Sequence, residues 1–210
     1  MPGIDAPARV KSRVHALTVE HAPRTVSSVY FDSARYESFR QSSSGTSERM
    51  KLRLRWYGDL HHAVSPTLEL KHRLNQVGHK TWHAVDSIDL DDTTWASVRT
   101  MLRARVPGPD RLHIEAMRCP ILVATYRRHY FVTSDRRIRV TVDTNLRFFD
   151  QRQRPKPNLV FDSAKADFAV VECKLARSVD ENEAHILDPL NLRWTRFSKY
   201  CFGLGALARL

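Results

Sequence analysis

The sequence predicts an α+β fold dominated by antiparallel strands, on three observations. Several segments alternate charged and aliphatic residues with period two, the pattern of strands that are packed on one face only. One stretch, Thr93 to Arg105, repeats apolar residues at helical spacing. Turn residues such as Gly58-Asp59 and Ser134-Asp135 separate the strands at short intervals, as in antiparallel rather than doubly wound folds.

Taken in order, Met1 to Arg13 read as a loose leader, and 1–22 as a leader or the remnant of a first strand, with a single domain over 23–210. Val26 to Phe31 is strand-like, a polar loop follows, and the Ser/Gly-rich Gln41 to Ser47 reads as a flexible turn. Met50 to Trp56 alternates cleanly and ends at Gly58-Asp59. Thr67 to Arg73 alternates again, Leu68, Leu70 and His72 against Glu69, Lys71 and Arg73. Asn75 to Gly78 is a turn, and Lys80 to Ile88 a further strand. The helix over Thr93 to Arg105 takes Asp92 as its N-cap, shows Trp95, Val98, Met101 and Leu102 on one side, and stops at Pro107-Gly108-Pro109. Strands resume at Val123 to Val132, Arg137 to Thr144 and Ala169 to Leu175, with a polar, Pro-rich loop at 150–158. Trp194 to Leu210 reads as a helix with a break at Gly203 or Gly205. No internal repeat is present.

Composition narrows the function. The 210 residues, 42% hydrophobic and 27% charged, suffice for a core without disulfides. No apolar run approaches the roughly 20 residues of a spanning helix, and the first residues lack a signal-peptide core. Cys119, Cys173 and Cys201 are too few and too scattered for a disulfide framework or a zinc site, so a reducing, cytoplasmic setting is expected. Lysine and arginine number 34 against 23 acids, a formal net charge of +11, which points to an anionic partner: nucleic acid, anionic lipid, or a phosphate-rich molecule or polymer. The seven glycines form neither a P-loop nor a dinucleotide fingerprint. Phosphates would therefore be held by side-chain cations from several elements.

The alternating strands supply such cations. Lys51, Arg53 and Arg55 share a face opposite Leu52, Leu54 and Trp56. Glu69 and Lys71 oppose Leu68 and Leu70. Arg139, Thr141 and Asp143 oppose Ile138, Val140 and Val142. Glu172 and Lys174 oppose Val171, Cys173 and Leu175, and Tyr126 shares a face with Arg128. One such strand is an ordinary wet face. The repeated mixture of cations with a single acid is different: if the sheet closes into a barrel, one of the two faces must point inward. With aliphatic faces covered outside by helices such as 93–105, the lumen would be cationic. An empty cationic lumen is self-repelling, so a polyanion is its natural occupant. Glu69 and Glu172 would then hold Mg²⁺ or Mn²⁺.

An ordered set of segments resembles the VTC domain, the polyphosphate polymerase domain of the CYTH, or triphosphate tunnel metalloenzyme, superfamily. The segments are PRTVSSVYFDS (Pro23 to Ser33), RMKLRLRWYG (Arg49 to Gly58), LELK (Leu68 to Lys71), Gly78-His79-Lys80, TYRRHYF (Thr125 to Phe131), RIRVTVDT (Arg137 to Thr144), VVECK (Val170 to Lys174) and FSKY (Phe197 to Tyr200). The resemblance implies a closed antiparallel β-barrel with flanking helices, a tunnel that binds ATP and passes its γ-phosphate to a polyphosphate chain with a divalent metal. It implies Arg53, Arg55, Arg128 and Arg139 as phosphate clamps with Lys199 beside them. Lys71, Lys80, Tyr126 and Ser198 are implied as further substrate ligands and Glu172 as the metal ligand; the charged faces add Lys51 and Lys174 to the substrate ligands and Glu69 to the metal site. It also implies an RxExK-like strand ahead of the region matched by Val14 to Val19. The chain begins MPGIDAPARVKSR and offers no ExExK, so one tunnel strand is expected to be missing.

Three other readings stand beside polymerase: a tunnel triphosphatase, a catalytically inactive polyphosphate or inositol-phosphate sensor, and a nucleic-acid binder. The last is disfavoured because no stacking trio, recognition helix or RNP motif is present. The residues leave a membrane partner undefined. His61-His62, His79 and His83 read as surface residues, Trp95 and Trp194 as packing anchors, and Cys173 as a small core residue. Arg152, Arg154 and Lys156 form a basic loop, solvated or guiding a leaving polyanion.

Overall fold

Period-two alternation becomes antiparallel strand in each segment where it was expected. The computed structural model describes residues 5–74, 77–161 and 163–208. Its elements in chain order are α1 (Ala6–Arg13), β1 (Leu17–Asp32), α2 (Glu37–Ser44), β2 (Glu48–Tyr57), β3 (His62–Ala63), β4 (Thr67–Leu74), β5 (Val77–Ala84), β6 (Ile88–Asp89), α3 (Trp95–Arg105), α4 (Asp110–Ala116), β7 (Cys119–Thr133), β8 (Ile138–Asp150), β9 (Ser163–Lys165), β10 (Val170–Leu175), α5 (Glu181–Ala184), a 3-10 turn (His185–Leu190) and α6 (Lys199–Leu207). The chain divides into two compact units. The smaller comprises 1–25, 126–146 and 165–196; the larger comprises 26–125, 147–164 and 197–210. The long strands β1, β7 and β8 contribute residues to both.

In the larger unit the strand order is β7-β1-β2-β4-β5. Register places Val29 beside Leu54 and Leu54 beside Leu68, and likewise Phe31, Leu52 and Leu70 in one row. These residues and Trp56 are buried together with Trp95, Val98 and Leu102 of α3 and Ile114 of α4. The helix over 93–105 thus covers the aliphatic face, as expected. Burial of each such side chain stabilises by about 1.5–3 kcal/mol. The helix begins at Trp95, and its cap is Thr94, whose hydroxyl accepts from the Ser97 N–H, rather than Asp92.

In the smaller unit the order is β10-β8-β7-β1. Val171, Cys173 and Leu175 pair with Val142, Val140 and Ile138. Val140 and Val142 pack with Ala6 and Val10 of α1 and with Leu187 and Leu190 of the 3-10 turn. The segment expected as a loose leader is therefore helical over Ala6–Arg13, because Ala6 and Val10 bury one side of it. Cys173 belongs to this packing, and burial pushes its thiol up to about 12, consistent with a core role.

Other expectations are corrected. The Ser-rich turn at 41–47 is largely helix α2, and α4 and α5 occupy stretches to which the sequence assigns no element. The C-terminal helix starts at Lys199 and runs through both glycines. A Cβ at Gly203 would collide with the Phe148 ring and come within 2.7 Å of Leu122 Cδ2, so this glycine permits close packing rather than a break. Trp194 is 56% exposed and anchors nothing. The turn expected at Asn75 to Gly78 lies partly outside the described residues; β5 starts at Val77. Among the described residues β5 and β10 are edge strands, so the strand pairing itself is that of an open antiparallel sheet. No helix among the described residues is long and apolar enough to cross a membrane.

Candidate functional site

The face of the larger unit opposite its apolar core carries the charge. Register aligns Ser28, Arg55 and Thr67 in one row, Tyr30, Arg53, Glu69 and Trp82 in the next, and Lys51, Lys71 and Lys80 in a third. Directly opposed residues share a face, so strand pairing alone gathers these side chains.

Glu69, 6% exposed, organises them. Its Oε2 accepts from Arg53 Nε (2.6 Å) and Nη2 (2.5 Å), while its Oε1 meets Lys80 Nζ at 3.3 Å and Arg55 Nη1 at 3.5 Å. Burial raises the Glu69 carboxyl, but Arg53, Arg55 and Lys80 outweigh it and hold the pKa below the ordinary value. One carboxylate therefore serves three cations and leaves the cluster with surplus positive charge. Burial lowers Lys80 and is only partly offset by Glu69. It also lowers Lys51, which donates to Ser198 Oγ at 3.1 Å. Lys71 is exposed.

Among the described residues, two buried polar atoms on this face have no hydrogen-bond partner: Arg55 Nε and Ser28 Oγ. Such orphans are rare in folded proteins and mark a place where a ligand or water completes the hydrogen bonding. Ser28 sits beside Arg55 in register.

The N-terminal end of α6 is fixed by Ser198, a residue singled out in the sequence, and by Tyr200 and Asp32, which were not. Ser198 is the N-cap of α6, accepting from the Cys201 N–H. Tyr200 donates from its hydroxyl to Asp32 Oδ2 at 2.7 Å. Asp32 also accepts the backbone N–H groups of Ser33, Ser38 and Phe39, which secures the start of α2. Burial and Asp32 push the Tyr200 hydroxyl up. The Tyr200 ring stacks on Tyr30 with centroids 5.3 Å apart. Burial raises Tyr30, but Arg53, Lys199 and Arg55 outweigh it and bring it below its ordinary value. Tyr30, Asp32 and Tyr200 thus align the site, and Lys199 stands close enough to act on Tyr30.

The smaller unit holds a second charged set. Arg128 donates Nε to Asp143 Oδ1 (2.6 Å) and Nη2 to Oδ2 (2.8 Å), a bidentate pair with Asp143 fully buried. Arg128 Nη2 lies 3.6 Å from Glu172 Oε2, and Lys174 Nζ 3.7 Å from Glu172 Oε1. Burial opposes the Arg128 charge, but its hydrogen bonds to Asp143 raise its pKa overall. The Tyr126 ring packs against Arg128, 5.3 Å from its guanidinium carbon. Arg139 pairs in register with Lys174 and is exposed. Thr141, opposite Glu172, has a buried hydroxyl with no partner. Asp143, the group that orients Arg128, was legible as part of a charged face but not as its anchor.

The metal expectation divides. Among the described residues no group of three or more His, Cys, Asp or Glu side chains could hold an ion. Glu69 does not fit a metal ligand, because both its oxygens face cations. Glu172 keeps a half-open carboxylate, 43% exposed, which fits one ligand to an ion whose other ligands are phosphate oxygens and water.

Residues 5–208 match the family model of the VTC domain. No curated protein matches the chain. Among solved structures, a Hippeastrum protein, HpAC1, described as an adenylyl-cyclase candidate with a dominant triphosphatase activity, is 13% identical, with 68% of each chain covered and a TM-score of 0.37.

Proposed function

Because this chain belongs to the VTC domain family, we propose that its cationic sheet face binds the triphosphate of ATP or a polyphosphate chain and that the protein transfers the γ-phosphoryl group to polyphosphate. The observation that carries the reading is Glu69 gathering Arg53, Arg55 and Lys80 while Arg55 Nε and Ser28 Oγ stay buried and unpartnered. Such a cluster is preorganised for oxyanions. Phosphoryl transfer needs positioned charge more than covalent chemistry.

In this mechanism Arg53 and Arg55 neutralise the phosphoryl oxygens, and Glu69 orients both guanidinium groups. Ser28 donates its hydroxyl to a phosphate oxygen. Lys51, Lys71, Lys80 and Lys199 attract and guide the chain, with Ser198 positioning Lys51. In the smaller unit Arg128, held by Asp143, and the exposed Arg139 and Lys174 serve phosphates, with Tyr126 supporting Arg128. Glu172 would hold Mg²⁺ or Mn²⁺ brought by the phosphates, an ion that neutralises charge on phosphoryl oxygens. Glu69 is not assigned to metal.

The test is incubation with ATP and Mn²⁺ or Mg²⁺ while phosphorus NMR follows the products. Growth of internal-chain phosphate signals is expected, and Arg53→Ala should abolish it. Orthophosphate without chains would make the protein a triphosphatase. Saturable binding without turnover would make it a sensor. Salt-sensitive DNA binding with no triphosphate binding would overturn the reading altogether.

A further inference from the structure

We infer that Trp82 is a stacking platform for a nucleobase, so that the charged face recognises a nucleoside triphosphate by its base as well as its phosphates. The inference rests on reading that face as a triphosphate site, and it names the residue that separates a nucleotide from inorganic triphosphate.

Trp82 lies on β5, an edge strand among the described residues. Pairing with β4 puts Gly78, Lys80, Trp82 and Ala84 on the charged face, opposite Arg73, Lys71, Glu69 and Thr67. Gly78 and Ala84 are short, so Lys80 and Trp82 alone rise from this stretch of the edge. Trp82 is 62% exposed. A lone exposed apolar side chain asks for no explanation, but the position of this one does. It continues the row of Tyr30, Arg53 and Glu69, and direct opposition keeps its Cβ roughly 5 Å from that of Glu69.

Lys80 joins the indole to the cation cluster. Its Nζ stands 3.3 Å from Glu69 Oε1 and 4.9 Å from the centre of the Trp82 ring. One ammonium therefore belongs to the phosphate-binding group and steadies the ring through its π face. Adjacent strands lie about 4.8 Å apart, so β2, which carries Arg53 and Arg55, is roughly 10 Å from β5 across the sheet. A ribose and its phosphates cover such a span. A ligand with its terminal phosphoryl at Arg53 and Arg55 thus lays its base over the edge at Trp82. Inorganic triphosphate occupies the cations and leaves the indole untouched. Stacking uses the π face that every base offers, so this edge reads that a base is present rather than which base it is. Trp82 meets the base and not the reacting phosphoryl, which makes it a specificity residue.

The test is calorimetric titration of the full chain with ATP and, in parallel, with inorganic triphosphate, without turnover metal. Trp82→Ala should weaken ATP binding about tenfold. It should weaken inorganic triphosphate by no more than about threefold, the share due to the Lys80 contact. Trp82→Phe keeps a π face and should hold ATP within about threefold of the native protein; it also serves should the alanine variant not fold, since it then has to retain the native preference between the two ligands. An ATP affinity unchanged in Trp82→Ala overturns the inference. Equal losses for both ligands also overturn it, because Trp82 would then serve Lys80 alone, and so does a Trp82→Phe protein as weak toward ATP as Trp82→Ala. A native protein that binds neither ligand would instead refute the reading of the charged face, and this inference with it.

Discussion

Arg53 places two donors, Nε and Nη2, on a single oxygen of Glu69, Oε2. That leaves Oε1 to face Arg55 and Lys80, so one buried carboxylate holds three cations in place. Replacing Glu69 by Gln keeps the shape and removes the charge. The cations then repel without compensation. After allowance for the partial exposure of Arg53 and Lys80, a loss of about 2 kcal/mol in stability is expected. Inorganic triphosphate should raise the melting temperature of Glu69→Gln more than that of the native protein, since the anion replaces the missing charge. Equal shifts in both would show that Glu69 is no surrogate for the ligand.

Arg55 and Ser28 give a prediction with opposite signs in two measurements. The Ser28 hydroxyl and Arg55 Nε are buried without partners. Ser28→Ala removes an unsatisfied group and should leave thermal stability unchanged or slightly higher. It should weaken triphosphate binding about threefold to tenfold by calorimetry. Arg55→Ala should lower turnover by about 2–4 kcal/mol of transition-state stabilisation. A Ser28→Ala protein that is less stable but binds normally would place Ser28 in the fold alone.

Much of this arrangement could be read in the sequence. Alternation at 50–56, 67–73 and 169–175 assigned each residue to a charged or an aliphatic face, because strand geometry permits nothing else. Which charges meet depends on register. Alternation alone therefore shows neither that Glu69 meets three cations nor that Asp143 anchors Arg128. The first half of α2 reads as polar loop and its second half, from Gln41, as flexible turn, because ESFRQSSS has weak helical preference. Its start is capped by Asp32, several residues away, through the Ser38 and Phe39 N–H groups. Tyr200 stands in the sequence only as part of the FSKY motif, since its role depends on a contact with Asp32 across 168 positions. Gly203 was read as a break, for the absence of a side chain does not reveal whether the reason is flexibility or a close neighbour.

Tyr200→Phe isolates that long-range contact. It removes the hydroxyl that donates to buried Asp32 while keeping the ring on Tyr30. Asp32 retains three backbone donors, so the expected loss is about 1–2 kcal/mol in urea unfolding. Because α6 positions Ser198 and, through it, Lys51, KM for the phosphate donor should rise more than kcat falls. An unchanged unfolding midpoint would remove Asp32 from this role.

Gly203→Ala tests the packing of α6. In an open helix the change would be favourable by about 1 kcal/mol. Here the added methyl meets the Phe148 ring and Leu122, and overpacking of this kind costs about 1–3 kcal/mol. Destabilisation is therefore expected, whereas Gly205→Ala, with nothing within 4 Å, should stabilise. The two glycines, two residues apart on one helix, should shift the melting temperature in opposite directions.

Protonation gives the last prediction. Burial lowers Lys51 and Lys80 below their ordinary values, and neighbouring cations add to this. Tyr30 is lowered as well, because Arg53, Lys199 and Arg55 outweigh its burial. A bound polyanion reverses the balance of charge and raises all three. For a lysine whose value rises on binding, the free form has lost its proton at a pH where the bound form still holds it. Binding therefore takes up protons in the alkaline range, and affinity falls as pH rises through the lowered lysine values. Tyr30 acts in the same direction, since an anion beside it favours the neutral phenol. Calorimetric titration with inorganic triphosphate at about pH 9, in two buffers of different ionisation heat, should give net proton uptake. Lys51→Met should reduce that uptake, and Tyr30→Phe should remove only the tyrosine share. Proton release, or heats independent of buffer, would mean that the anion settles away from Lys51, Lys80 and Tyr30.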